Sequence, residues 1–341
     1  MHGFLGHKWV CGLVLAAVLV CAMPMSAHGA WIWTPQTGRW INVAHLPKET
    51  AELQLEYARS LYLKGDYRKA LNQIEQFEEY YADSNLADQN QFLRGEIHLA
   101  EGKYLQAAKD FQLVITKFPK TELFDDVLAK QYEIGDTLYD MGQKKIHKKH
   151  HFWPSFKKGP FKRAIEVYGM VIKNAPFTDA AAEAQYKVGL CHQAREEYVE
   201  AAFEYRKVIE DYPESSWVVD ATYGLAMCYW EASLPPEYDQ SPSQLAIEAI
   251  DDFARRAPAS DERRAGLEEK REKLYENIAQ QRLLTARYYE RRHDFTAARI
   301  YYKVVAEDFT GTKAAEKAQA WLEKNPVKEV RLQDQILGTN Q

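Results

Sequence analysis

Gly65-Asp66-Tyr67-x-x-Ala70 returns as Gly102-Lys103-Tyr104-x-x-Ala107 and Gly159-Pro160-Phe161-x-x-Ala164, and Glu197-Tyr198-x-x-Ala201 and Asp294-Phe295-x-x-Ala298 continue the pattern. The basic period is about 37 residues. Position twelve after each alanine is Pro119, Pro176, Pro213 and Pro258, with Ala82 and Thr310 in the other two copies. Small residues recur at Ala58, Gly95, Gly135, Gly189, Ala226 and Ala286, where two helices must approach closely, and a large apolar residue follows four after the alanine: Ile74, Phe111, Tyr168, Tyr205, Ile250 and Tyr302. One such unit cannot bury its own apolar stripe, so neighbouring units must stack to complete a core. The expected roles are an aromatic at the turn (Tyr67, Tyr104, Phe161, Tyr198, Phe295) plugging the junction, an alanine permitting contact, and a proline stopping the second helix.

Composition agrees with a helical chain. Hydrophobic residues make up 46% and charged residues 27%, which excludes a wholly disordered polymer, and proline (13) and glycine (17) are sparse beside 21 tyrosines. The predicted fold is all-α, a solenoid of about six helical hairpins over residues 48–324, with insertions near 143–158 and 233–243 and a flexible tail over 325–341. Within that tail, Val327, Val330, Leu332 and Ile336 are spaced for a partner-induced helix.

Residues 1–29 read as a signal peptide. Lys8 precedes thirteen uncharged residues, Val10 to Ala22, too few for the ~20 a spanning helix needs. Ala27-His28-Gly29-Ala30 supplies small residues for cleavage near Trp31. A competing reading makes Cys21 the acylated first residue of a lipoprotein, but Val20 stands where a small residue normally does. Residues 30–47 then form an extended arm rich in tryptophan (Trp31, Trp33, Trp40), expected to pack along the first repeat's groove or, alternatively, to rest at a membrane interface.

The remaining cysteines, Cys191 and Cys228, sit in apolar helical patterns and are expected to be buried free thiols. Net charge is −5, and loss of Lys8 with the leader makes it −6, which disfavours a general nucleic-acid binder. No Gly-rich phosphate loop, nucleophile elbow or metalloprotease helix is present, so neither an enzyme nor a cofactor is expected. His147, His150 and His151 have helical spacing for a metal, but the lysines around them oppose a divalent cation and no metal site is expected.

The hairpin pattern resembles the tetratricopeptide repeat, stretched from 34 to about 37 residues by a longer inter-repeat turn. The turns Lys117-Phe118-Pro119-Lys120-Thr121 and Asp211-Tyr212-Pro213-Glu214-Ser215-Ser216 are similar to those of exported bacterial envelope repeats. Leu234 to Ser241, leading into the helix that ends Arg255-Arg256-Ala257-Pro258, resembles the corresponding segment of the BamD-type family of the outer-membrane β-barrel assembly machine. The resemblance implies a periplasmic scaffold associated with the inner face of the outer membrane, with a barrel-assembly subunit and unfolded outer-membrane proteins as partners. The rival resemblance is to CpoB-type periplasmic regulators of cell-wall synthesis or division, and a third reading is an enzyme-associated or exopolysaccharide-export repeat protein.

Candidate partner-binding residues follow from chemistry. The first insertion carries eight cations between Asp140 and Glu166 without an acid, interleaved with aromatics, and reads as a docking loop for a partner or a membrane surface through Lys148, Lys149, Trp153, Lys157 and Lys158. The alternative is a solvated basic loop. Tyr238, Asp239 and Gln240 in the second insertion complete the candidate set.

Overall fold

The computed structural model describes residues 31–35, 38–42, 46–147 and 159–326. They contain a two-stranded antiparallel hairpin, β1 (Trp31–Thr34) and β2 (Arg39–Asn42), followed by thirteen helices. In chain order these are α1 (Ala51–Leu63), α2 (Tyr67–Tyr80), α3 (Ala87–Ala100), α4 (Tyr104–Lys117), α5 (Phe124–His147), α6 (Gly159–Asn174) and α7 (Asp179–Ala194). There follow α8 (Tyr198–Asp211), α9 (Val218–Ala232), α10 (Ser241–Arg256), α11 (Arg263–Arg291), α12 (Phe295–Asp308) and α13 (Lys313–Lys324). The described residues divide into two compact units, with the boundary in the chain between Ile97 and His98 of α3.

In the first unit α1 packs on α2. Ala58, Ala70, Ile74 and Phe77 are wholly buried there. The Gln54 carboxamide, also buried, accepts from the Lys48 amide at 2.8 Å and donates to the backbone and side-chain oxygens of Gln73 at 3.0 Å each. In the second unit each helix from α5 to α13 packs on the next, and α5 on α7, α7 on α9 and α11 on α13 also touch. That is the nearest-neighbour pattern of an all-α solenoid.

Its core is the one the repeat implies. Ala107, Ala164, Ala201, Ala246 and Ala298 are wholly buried, and so are Phe111, Tyr168 and Tyr205 at the position four later. The small residues are where the aromatics need room: a Cβ at Gly135 would lie 2.5 Å from the Tyr168 ring, and Cβ atoms at Gly189 and Gly224 would meet the Tyr205 ring from two sides at 2.5 and 2.7 Å. The phenols at this repeat position also find acceptors on the preceding helix, Tyr168 on Asp136 (2.6 Å), Tyr205 on Gln193 (2.8 Å) and Tyr302 on Glu290 (2.6 Å). Those bonds matter because an unpartnered buried hydroxyl costs about 1–3 kcal/mol.

Two expected roles are corrected. Of the turn aromatics only Phe161 is buried; Tyr67, Tyr104 and Tyr198 are half-buried and Phe295 is exposed. The junction is made by backbone instead. Residues 65, 102, 196 and 293 all take positive φ, and in all four turns the next amide reaches back five residues, from Asp66 to Leu61, Lys103 to His98, Glu197 to His192 and Asp294 to Tyr289. The prolines, too, are helpers rather than causes: every second helix ends two residues before the proline position, including α2 before Ala82 and α12 before Thr310. What is common to all six connections is a hydroxyl or carboxylate just ahead of the following helix that accepts a backbone amide at 3.0–3.3 Å: Thr178 and Thr312 as N-caps, and Ser84, Thr121, Ser215 and Asp261 from the amide two residues on, which turns the chain into the helix.

The long α11 was not foreseen. Leu267 and Leu274 near its start join the core of Ala246, Ile250 and Phe253, while Ala279, Leu283 and Ala286 further along join that of Ala298, Tyr302 and Val305.

Two substitutions test this account. Gly189→Ala, forced against Tyr205, is expected to cost about 1–3 kcal/mol in urea unfolding followed by circular dichroism, with partial recovery when Tyr205→Leu is added. His293→Gly, which relieves a side chain held at φ 61°, is expected to stabilise by up to about 1 kcal/mol in the same assay.

Candidate partner-binding surface

The fourth and fifth hairpins leave a groove of roughly 200 Å³ between the start of α8 and the end of α9. Tyr198, Val199, Ala202, Phe203 and Arg206 form one wall, and Cys228, Tyr229 and Ala232 the other. The register of α8 explains its apolar outer edge. Ala201, Tyr205 and Val208 fill the inward stripe, so Val199 and Phe203, four apart and out of phase with it, are left 77% and 56% exposed. The Arg206 guanidinium donates to the Tyr229 hydroxyl, while the Lys207 ammonium lies 4.4 Å from the centre of the Phe203 ring and 3.2 Å from Glu204. Tyr198 has its phenol pushed upward by burial and then by the Glu231 charge. Burial pushes the thiol of Cys228 up to about 12, as it does that of Cys191, so both stay protonated at neutral pH. Both cysteines are free and buried, as expected from their apolar settings.

The second insertion leaves α9 directly beyond Ala232, the last residue of the groove wall. Its three candidate residues separate into two kinds. Gln240 is corrected from a contact residue to an internal brace: it is 2% exposed, donates to the carbonyls of Leu234 (3.2 Å), Pro235 (2.9 Å) and Tyr238 (3.2 Å), and accepts from Ser243 (2.9 Å). Bracing the loop from within leaves its neighbours outside. Tyr238 and Asp239 are both exposed, and the Asp239 carboxylate accepts from the Ser241 amide and hydroxyl, which hold it below the usual range. The Tyr238 carbonyl accepts from Gln281 of α11, tying the loop to the next hairpin.

A charged clamp fixes the frame around this loop. Arg263, at the start of α11, donates to Asp220 of α9 at 2.6 Å and to Asp261 at 2.7 Å, with its guanidinium about 5 Å from the ring centres of Tyr223 and Phe253. Arg264 next to it donates to the carbonyls of Ala254, Ala257 and Pro258, closing the end of α10.

Lys148, Lys149, Trp153, Lys157 and Lys158 lie outside the described residues, as does Cys21. Helix α5 runs through Gln143 to His147, so the first part of that insertion continues the helix, with Lys144 and Lys145 exposed on it. The groove residues Val199, Phe203 and Arg206 were missed. Their sequence signal is faint: two apolar side chains out of phase with the alanine stripe.

Residues 139–333, more than half of the chain, match the YfiO family model, described as outer membrane lipoprotein. The chain belongs to this YfiO family. The matched stretch contains the groove, the braced loop and the Arg263 clamp. Residues 89–121 of this YfiO-family chain also match a tetratricopeptide repeat model. A curated relative, the outer membrane protein assembly factor BamD of Caulobacter vibrioides, is 23% identical over 188 residues, covering 54% of this chain and 61% of its own length. The chain thus spans about three-fifths of the relative it matches. Among solved structures, a tetratricopeptide repeat protein from Parabacteroides merdae aligns at 15% identity with a TM-score of 0.30, over 80% of this chain and 97% of that one. A thermophilic protein of the same repeat class from Thermus thermophilus aligns at 13% identity with a TM-score of 0.33, over 65% of this chain and 98% of that one. No helix among the described residues is long and apolar enough to cross a membrane.

The clamp predicts an acid response. Hydrogen bonds from Arg263 hold Asp261 down to about 2, against an ordinary value of 3.8. A folded-state value below the unfolded one stabilises above the unfolded value and is lost as pH falls through the folded one. Urea unfolding is therefore expected to show that Asp261→Asn weakens the protein at pH 7 and flattens its loss of stability between about pH 4 and 2.

Proposed function

We propose that this protein is a periplasmic protein-binding scaffold, a BamD-like component of outer-membrane β-barrel protein assembly, working by non-covalent contact rather than by catalysis. The observation that carries the reading is that the family match falls on the stretch holding an exposed apolar groove. Its occupant is an apolar segment of an envelope partner: Val199 and Phe203 offer it two anchors, and Arg206, whose nearby described partner is a neutral phenol, offers its positive charge to an acidic group beside them. Tyr238 and Asp239 extend the contact surface along the braced loop. A barrel-assembly subunit is the partner on this reading, with unfolded outer-membrane proteins as clients.

Placing two carboxylates on the anchors separates this reading from that of a CpoB-like regulator. Val199→Glu with Phe203→Glu is expected to leave the far-ultraviolet circular dichroism unchanged, because both side chains face solvent. The same pair is expected to cut recovery of the barrel subunit from detergent-solubilised envelopes at least about tenfold. Recovery of cell-wall synthases in place of the barrel subunit by the unmodified chain would replace this reading with the regulator.

A further inference from the structure

The N-terminal arm was expected either to pack its tryptophans along the first repeat's groove or to rest them at a membrane interface, and in the structure the three indoles are exposed on a short β-hairpin. Register pairs Trp31 with Asn42, Ile32 with Ile41, Trp33 with Trp40 and Thr34 with Arg39. Side chains alternate along a strand and directly opposed residues share a face, so Trp31, Trp33 and Trp40 project together on one face and Ile32 and Arg39 belong to the other. Arg39 pairs with Glu79 of α2 at 3.2 Å. That contact ties the arginine face to α2 through an exposed ion pair, while Ile32 on the same face is 39% exposed. The three indoles are 62%, 51% and 63% exposed, an apolar cost that a solvated surface hairpin does not ordinarily carry.

We infer that this tryptophan face is a membrane-contact element that seats in the headgroup layer of a lipid bilayer. Indole is suited to that layer because its ring is apolar and its N–H still needs a hydrogen-bond partner. The arrangement of the rings argues against a carbohydrate. Trp33 and Trp40 meet at 66° with their centres 6.0 Å apart, edge to face, and so do not make the coplanar platform on which a sugar ring stacks. Position in the chain argues for lipid. Cys21 precedes Trp31 by ten residues, a span of at most about 35 Å when extended, so a chain acylated there would hold the hairpin beside the bilayer. A chain cleaved near Trp31 would keep the three indoles as its contact. In the first case they are the second of the two weak signals that stable anchoring requires. The inference does not depend on the α8–α9 groove, which is in the other unit.

The test uses the chain expressed from Ala30 onward, which carries neither the apolar leader nor Cys21. It is mixed with phosphatidylethanolamine–phosphatidylcholine vesicles containing brominated phosphatidylcholine. The expected result is flotation with the vesicles and quenching of tryptophan emission. Trp31→Ala, Trp33→Ala and Trp40→Ala together are expected to weaken vesicle binding at least about tenfold, with helical circular dichroism unchanged. The conservative Trp33→Phe is expected to retain most of the binding. Val199→Glu with Phe203→Glu, the groove variant, is expected to bind vesicles as the parent does, so failure of the groove reading and failure of this one are separable. The inference is overturned if the chain from Ala30 onward does not float. It is equally overturned if the triple variant floats like its parent, or if the triple variant loses an envelope protein while keeping the vesicles.

Discussion

Close approach of helices around a buried aromatic ring is the constraint from which the rest follows. Tyr205 fills the space between α7 and α9 only because Gly189 and Gly224 offer no Cβ on either side of it. Gly135 does the same for Tyr168, and Gly142 for Phe161, whose ring a Cβ would meet at 2.6 Å. A ring that large buries far more apolar surface than an aliphatic residue, and it does so at the joint between consecutive hairpins, where a unit standing alone would be open. Its hydroxyl then demands an acceptor, supplied by Asp136 directly after Gly135 and by Gln193 and Glu290 one turn beyond Gly189 and Ala286. The aromatic contact and the polar contact are parts of one requirement.

Amides that are buried (Gln131) or half-buried (Gln112, Asn174) extend the same logic between layers. Gln131 donates to Gln112 at 3.0 Å, while Asn174 donates to both Gln112 (2.8 Å) and Gln131 (3.0 Å), linking α4, α5 and α6 through polar side chains that satisfy one another. Such a cluster contributes little net stability per bond but penalises any shift that separates its members. The same can be said of Arg263, whose two carboxylates come from different segments. A frame held in register this way is what lets the loop before α10 stand rigidly beside the groove, with Gln240 occupied inside and Tyr238 and Asp239 outside.

The two candidate contact surfaces are unlike in chemistry. One is a groove in the family-matched stretch, apolar with a cationic edge; the other is an exposed tryptophan face on a hairpin upstream of that match. Each arises where the hydrophobic pattern departs from the repeat. Val199 and Phe203 are out of phase with the stripe of α8, and Trp31, Trp33 and Trp40 alternate with period two ahead of the first helix. In a chain whose interior is specified by repetition, residues that break the period without entering the core remain available for a partner.

The helical class, the number of hairpins, the identity of the buried alanines and their partners four residues later, and the positions where each second helix ends were all legible in the amino-acid order, because each depends on local periodicity and on the volume of single side chains. Bonds spanning six residues or fewer close the turns at residues 65, 102, 196 and 293 and face Gln240 inward, whereas tertiary structure alone decided that α11 continues through two cores and that the tryptophans are exposed. Those tertiary outcomes turn on which groups a helix or a strand face meets. That choice depends on segments tens of residues away, such as Glu79 for Arg39 and Asp220 for Arg263, which no local pattern specifies.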